Sequence, residues 1–375
     1  MEKKKKKTSA TIVADSIDER GNRITTYLLT YWKAIHPELL THRMFSRNAA
    51  SSRAIPFQKM LKDVQEDPFI PIAWQKDHKG MQGTEYITDA GDIRNNIKTW
   101  LWAIDAAREN ADTLNEDLEV TKQICNRLLE PFQWYTCLVT ATEFDNFFEL
   151  RCPKYEIYAG PENTNEFLCS GNSWKDLMNS NNGLAKDFDT EYITERLQYS
   201  KSGAEIHIQA LAEAMWDAKN ESVPKLLESG EWHIPFGDRI DDEKLLKYAQ
   251  SIQPFFTYKS TSDSFYVNSI EIPLKLMISS ARCARLSYMT FDNEIDYEKD
   301  IKLHDQLLES KHFSPFEHCC RAMSNYEYKD FVKGTFEVTH SEPGYEDLGE
   351  FPEKALGWCN NFRGFIPYRY LLENK

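Results

Sequence analysis

Thr41-His42-Arg43-Met44-Phe45-Ser46-Arg47-Asn48-Ala49-Ala50-Ser51-Ser52-Arg53 places four basic side chains, an asparagine and four hydroxyls in thirteen residues. Pro37 lies just upstream and Pro56 just downstream, each where a helix can start. The stretch therefore reads as the end of one helix, a small-residue turn at 49–52 and the start of the next helix. Small hydroxyl residues between arginines leave backbone N–H groups open beside cations, an arrangement that holds a phosphate or an anionic base edge. The same composition also describes an amphipathic helix with a solvated basic face.

The rest of the chain limits what that basic stretch can serve. With 375 residues the chain exceeds the usual single-domain size, and 41% hydrophobic with 13% aromatic residues supports a well-packed core. A net charge of −14 argues against nucleic acid as the main partner but leaves room for a local basic nucleotide pocket. No apolar run approaches the roughly 18 residues of a membrane span. The lysines at 3–7 precede no apolar segment, so residues 1–8 read as a disordered basic tail, not a signal peptide, and the expected location is the cytoplasm. The eight cysteines show no metal spacing and read as reduced thiols. His312 and His318 flank a proline turn without helical i,i+4 spacing, so no metal site is expected there.

Strand and helix signals alternate along the chain. Residues 9–31 read as a β-hairpin turning around Gly21. Helices are expected from about Pro37, over 56–64, 92–114 and 120–129, with loop between 67 and 90. Residues 132–148 are apolar and aromatic, bracketed by Arg127 and Arg151. A buried arginine requires an anionic partner, either a structural carboxylate or a ligand. Residues 153–203 are rich in Asn, Ser, Gly and charge and read as an insertion, a lid or a surface elaboration. Helices return at 204–219, 241–251, 274–285 and 297–310. Residues 9–375 read as a single domain carrying that insertion.

Five segments together resemble the flavin-dependent thymidylate synthases. That family's signature is an Arg-His-Arg triplet, seven residues, a Ser and an Arg two further on. His42-Arg43, Ser51 and Arg53 match it, with Thr41 in place of the first Arg. Arg127-Leu128-Leu129-Glu130-Pro131 is similar to the family's Arg-x-x-Leu-Pro, and Asn146-Phe147-Phe148-Glu149-Leu150-Arg151 to its Asn-Phe-Leu-x-Leu-Arg. Ala284-Arg285-Leu286-Ser287 and the run from His312 to His318 resemble segments that open the family's chain, yet here they come last. The resemblance thus implies an α+β fold with a central antiparallel sheet flanked by long helices, circularly permuted, residues 272–325 standing for the family's beginning.

It further implies transfer of a one-carbon unit from methylenetetrahydrofolate to C5 of dUMP, with hydride from NADPH-reduced FAD and without an enzyme thiol. It implies a homotetramer with shared active sites. By position, Arg151 is the catalytic arginine, and Glu38, Ala50, Ser51, Ser52, Arg53, Arg127 and Arg151 meet the nucleotide. His42, Arg43, Asn146, Ser287, His312 and Ser314 fall to FAD; His312 reads equally as a turn cap. The chain departs from the pattern with Glu38 for a Gln, Ala49 for a Glu and Thr41 for an Arg, a cation that Arg369 is a candidate to replace. Those departures keep open hydroxymethylation of dUMP or dCMP on the same scaffold, and a catalytically silent flavin- or nucleotide-binding protein.

Overall fold

The computed structural model describes residues 5–80, 83, 85–159, 166–179, 190, 192–252, 264–288, 296–333 and 352–374. The expected hairpin forms as β1 (Ser9–Asp18) and β2 (Arg23–Trp32), paired antiparallel, with Gly21 at φ +85° in the turn. Asp18 closes it by accepting from the backbone N–H of Arg20 and Asn22. The tail expected to be disordered is described from Lys5 onward, and the Lys6 N–H donates to Asp67 at 2.8 Å.

The basic stretch departs from its sequence reading. Helix α1 (His36–Leu40) starts with Pro37 in its first turn, as expected. Beyond it the chain becomes strand β3 (Ser46–Ala49), antiparallel to β4 (Trp134–Ala141). Two tertiary contacts outweigh local helical tendency. Phe45 packs against Phe144 and Phe147, ring centroids 5.0 and 5.4 Å away. Arg47 Nη1 donates to the carbonyls of Leu40 and His42 at 3.0 and 3.3 Å, satisfying groups that a longer helix would have used. The Ala50 N–H, expected to be open, extends the ladder to the Thr136 carbonyl at 3.0 Å.

Helices α2 (Phe57–Glu66), α3 (Ala90–Glu116) and α4 (Lys122–Leu129) follow and share a core of Phe57, Met60, Ile104, Ala111 and Leu129. After β4 comes α5 (Asp145–Arg151). The region read as an irregular insertion carries its own small fold: hairpin β5 (Tyr155–Ala159) and β6 (Glu166–Gly171), then α6 (Trp174–Asn179) and α7 (Ile193–Leu197), around Tyr155, Ile157, Cys169, Trp174 and Leu177. Helix α8 (Ile206–Glu221) then packs over β1 and β2 and delivers β7 (Lys225–Leu227) parallel to β1. The main sheet, in order β3-β4-β2-β1-β7, is therefore mixed, not purely antiparallel, because a helical crossover returns its edge strand in the same direction.

Side-chain alternation assigns the two faces of this open sheet. Tyr27, Leu29 and Tyr31 of β2 and Cys137, Val139 and Ala141 of β4 face α1, α5 and α8, where Phe147, Phe148, Leu211 and Met215 complete the main core. Each buried leucine, valine, methionine or phenylalanine there is worth about 1.5–3 kcal/mol. On the other face Leu138 and Val13 meet Ala50, Phe236, Cys283 and Leu286. The last two come from α10 (Ser264–Ala284) and the turn after it, preceded in the chain by β8 (Trp232–His233) and α9 (Asp242–Ile252). The C-terminal part continues through α11 (Tyr297–Glu309) to β9 (Cys320–Ala322), and the later strand Phe365–Pro367 joins β9 and β8 in a second sheet. No helix among the described residues is long and apolar enough to cross a membrane.

Candidate active site

A cavity of about 540 Å³ opens where α1, β3, α4 and β4 meet. That volume lies within the ~300–1,000 Å³ range of small-molecule sites. Its wall includes Lys33, His36, Ala49, Ala50, Ser51, Ser52, Arg53, Arg127, Glu130 and Tyr135. The four consecutive residues 50–53 reach it because β3 ends at Ala49 and the chain turns there before α2. Asn126, fully buried on α4, holds the turn by donating to the carbonyls of Ser52 and Ile55 at 2.7 and 3.1 Å. A second cavity of about 330 Å³ adjoins the first, sharing Lys33, Ala50, Ser52 and Tyr135.

The cavity is cationic. Lys33, Arg53 and Arg127 oppose a single carboxylate, Glu130, among the described lining residues. Glu130 Oε1 accepts from Ser52 Oγ at 2.6 Å and from Lys33 Nζ at 2.7 Å; Oε2 lies 3.4 Å from Arg127 Nη1. Burial acts to raise the Glu130 carboxyl, but the bonds from Lys33 and Ser52 and the nearby cations prevail and hold it below the usual range. Burial lowers Lys33, against the pull of Glu130. Lys33 also lies over the Tyr135 ring, 5.0 Å from its centroid. His36 is neutral: burial first, then Arg47 and Lys33, bring it down to about 4, and its Nδ1 bonds Tyr31 Oη at 2.7 Å. Arg127 does not sit on the buried side of α4. Its side chain is 59% exposed, at the cavity rim.

Three other sites take up the remaining residues read from the sequence. Glu38, His42 and Arg151 form a group at the C-terminal ends of α1 and α5. Arg151 Nε donates to His42 Nε2 at 3.3 Å, which requires the imidazole to be neutral there. Burial and the positive charges of Arg151 and Arg47 bring His42 down to about 4. Burial and the Glu205 carboxylate raise Glu38, against Arg151, and its Oε2 is buried with no hydrogen-bond partner among the described residues. Glu38 and Arg151 are not among the residues that line the cavity.

The second site joins the two ends of the chain. Asn48 Nδ2 donates to the Cys283 carbonyl at 2.8 Å, and Ser314 Oγ donates to Asn48 Oδ1 at 3.0 Å. The third set is dispersed: Arg43, Asn146 and His312 are exposed, the first offering its carbonyl to Asn361. The backbone of Ser287 belongs to the turn Arg285–Tyr288; its side chain is outside the described residues. Arg369 is engaged by Glu317 and Glu373 and lies by Phe313, with no contact to Thr41. The residues assigned to FAD offer suitable donors for a flavin, yet none of them is among the described residues that line the cavity holding residues 50–53 and Arg127.

Lys33, His36, Tyr135 and Asn126 were not legible as site residues. Each lies in a segment that reads as ordinary strand or helix. The one available signal was Lys33, a charge at the end of a strand otherwise apolar and hydroxylic from Ile24 to Trp32.

No protein-family model matches this chain, and no curated protein matches it. Two solved structures of PolB, a UMP/dUMP methylase from Streptomyces cacaoi, are similar in part. The one bound with 5-Br UMP is 15% identical, covers 40% of this chain and 78% of that one, and has a TM-score of 0.33. The one bound with 5-Br dUMP is 15% identical, covers 53% and 67%, and has a TM-score of 0.34. At TM-scores this low the likeness carries no argument about this chain.

Proposed function

We propose that the chain is a flavin-dependent enzyme that transfers a one-carbon unit from methylenetetrahydrofolate to C5 of dUMP. The observation that carries this reading is the meeting of residues 50–53 and Arg127 in one cavity with Lys33 and Tyr135. Two arginines and a lysine suit a phosphate dianion, and arginine binds it through paired N–H groups at any working pH. Tyr135 gives the same cavity an aromatic wall for a pyrimidine beside Lys33. FAD reduced by NADPH would supply the hydride that completes the methyl group.

Arg151 has the role of stabilising negative charge as it develops at N3 and O2 of the base. Its separation from the cavity within one chain, together with the exposure of Arg43, Asn146 and His312, supports a homotetramer in which neighbouring copies complete each site. The cysteines support a reaction without an enzyme thiol. All eight are buried, and burial raises Cys137 and Cys359 to about 12, far from a reactive thiolate.

A second reading, hydroxymethylation with dCMP as a possible substrate, draws on Glu38. Its unpartnered buried Oε2 is the acceptor that an amino group at position 4 of the base would satisfy. The experiment is incubation with dUMP or dCMP, methylenetetrahydrofolate and NADPH, followed by mass spectrometry of the nucleotide. Methylated dUMP is the expected product. A hydroxymethyl product would favour the second reading. An unchanged nucleotide, from a protein that gains no flavin absorbance with added FAD, would overturn both.

A further inference from the structure

Glu130 is out of keeping with a phosphate site, since a carboxylate repels the group that Arg53 and Arg127 attract. The resemblance also expects leucine at this position, so the charge is this chain's own. Its two oxygens are unequally used. Oε1 is filled by Lys33 Nζ and Ser52 Oγ, at 2.7 and 2.6 Å. Oε2 has only the 3.4 Å contact from Arg127 among the described residues. A carboxylate oxygen accepts at two lone pairs, so Oε2 keeps acceptor capacity inside the cavity.

Its neighbours define which part of a nucleotide it would meet. Arg127 marks the phosphate end. Lys33, the other cation bonded to Glu130, rests 5.0 Å over the Tyr135 ring, the surface for the base. Glu130 thus connects the two ends, where the sugar of a nucleoside monophosphate lies. Ala49 is on the same wall, at the position where the resemblance expects a carboxylate.

We infer that Glu130 is a specificity residue for the sugar, its Oε2 accepting the 3′-hydroxyl of the bound pyrimidine nucleotide. The inference rests on the nucleotide reading given above and adds to it the residue that recognises the sugar.

The test is calorimetric binding of dUMP and of 2′,3′-dideoxyuridine 5′-monophosphate to the full-length protein, its Glu130→Gln variant and its Glu130→Leu variant. The ratio of the two affinities within one protein cancels any general loosening of the cavity. The unaltered protein is expected to prefer dUMP about 10- to 100-fold, the worth of a hydrogen bond to a charged group. The Leu variant, which offers no hydrogen bond, is expected to bring the ratio close to one; the near-isosteric Gln variant, which exchanges a charged hydrogen bond for a neutral one, is expected to lower it to a few-fold and carries the test if the Leu variant fails to fold. Tight dUMP binding with the same ratio in all three proteins would overturn the role of Glu130 and leave the nucleotide reading intact. Absence of binding of either nucleotide to the unaltered protein would overturn both.

Discussion

The residues assigned to the nucleotide and those assigned to the flavin contrast in how one chain holds them. Residues 50–53 and Arg127 come together because a strand end, a turn and the neighbouring helix are tied by buried Asn126. The flavin set is spread over the turn after α1, α5 and the C-terminal turns, with Arg43, Asn146 and His312 exposed. Short-range architecture builds the first site; the second depends on surfaces that one chain leaves open. The contrast predicts that nucleotide binding is a property of the protomer and flavin binding a property of the assembly.

The largest effect is expected at Arg151, proposed as the catalytic arginine. Arg151→Ala is expected to lower kcat by about 10²–10³-fold, the cost of removing one donor to a developing anion. Steady-state rates under saturating dUMP check it; a near-normal kcat would remove Arg151 from the chemistry. Asn126→Ala comes next. It leaves two carbonyls of the turn unpaired, and stability to denaturant should fall by about 1–3 kcal/mol. dUMP affinity should fall with it, although Asn126 does not line the cavity; unchanged affinity would show that the turn is held by other contacts.

Arg43→Ala sharpens the comparison from the other side. FAD retention on gel filtration should weaken while the Kd for dUMP stays within about twofold, as expected for an exposed residue away from the cavity. A matching loss of dUMP affinity would merge the two sites into one. The smallest effect concerns the hairpin region 153–203, which should be indifferent to both ligands. Its anchor is Glu213 of α8, which accepts from the Trp174 N–H at 2.6 Å. Burial pushes the Glu213 carboxyl up to about 7 from 4.5, against that bond. A carboxyl raised in the folded state leaves its full stability below the unfolded value and loses it as pH rises toward 7. The difference in denaturant midpoint between the protein and Glu213→Gln should therefore change between pH 4.5 and pH 7.5, with the variant relatively more stable at the higher pH. A constant difference would show that Glu213 titrates normally.

Much of the scaffold is legible in the sequence. The two strand-like runs of 9–31 with the turn around Gly21, and the prolines at 37 and 56, marked real elements, because those signals are local. Strand β3 was hidden because Ser46, Arg47 and Asn48 have little strand tendency of their own; pairing with β4 imposes it. The parallel placement of β7 and the small core of the hairpin region depend on contacts distant in sequence, which local pattern does not record. At the site, residues 50–53 stood out because cations and hydroxyls cluster there. Tyr135 was concealed by its place in an apolar strand and Lys33 by its place just after one; the sequence left open whether Arg127 is buried, and it stands at the rim.

The central proposal is that the cavity lined by Arg53 and Arg127 holds the nucleotide's phosphate. Calorimetric titration of dUMP into the protein and into the Arg53→Ala/Arg127→Ala double variant tests it most directly. Removal of both arginines is expected to weaken binding by about 100-fold or more, given roughly 1.5–3 kcal/mol for each charged hydrogen-bonding group. An affinity unchanged in a double variant that remains folded would place the nucleotide elsewhere and contradict the account.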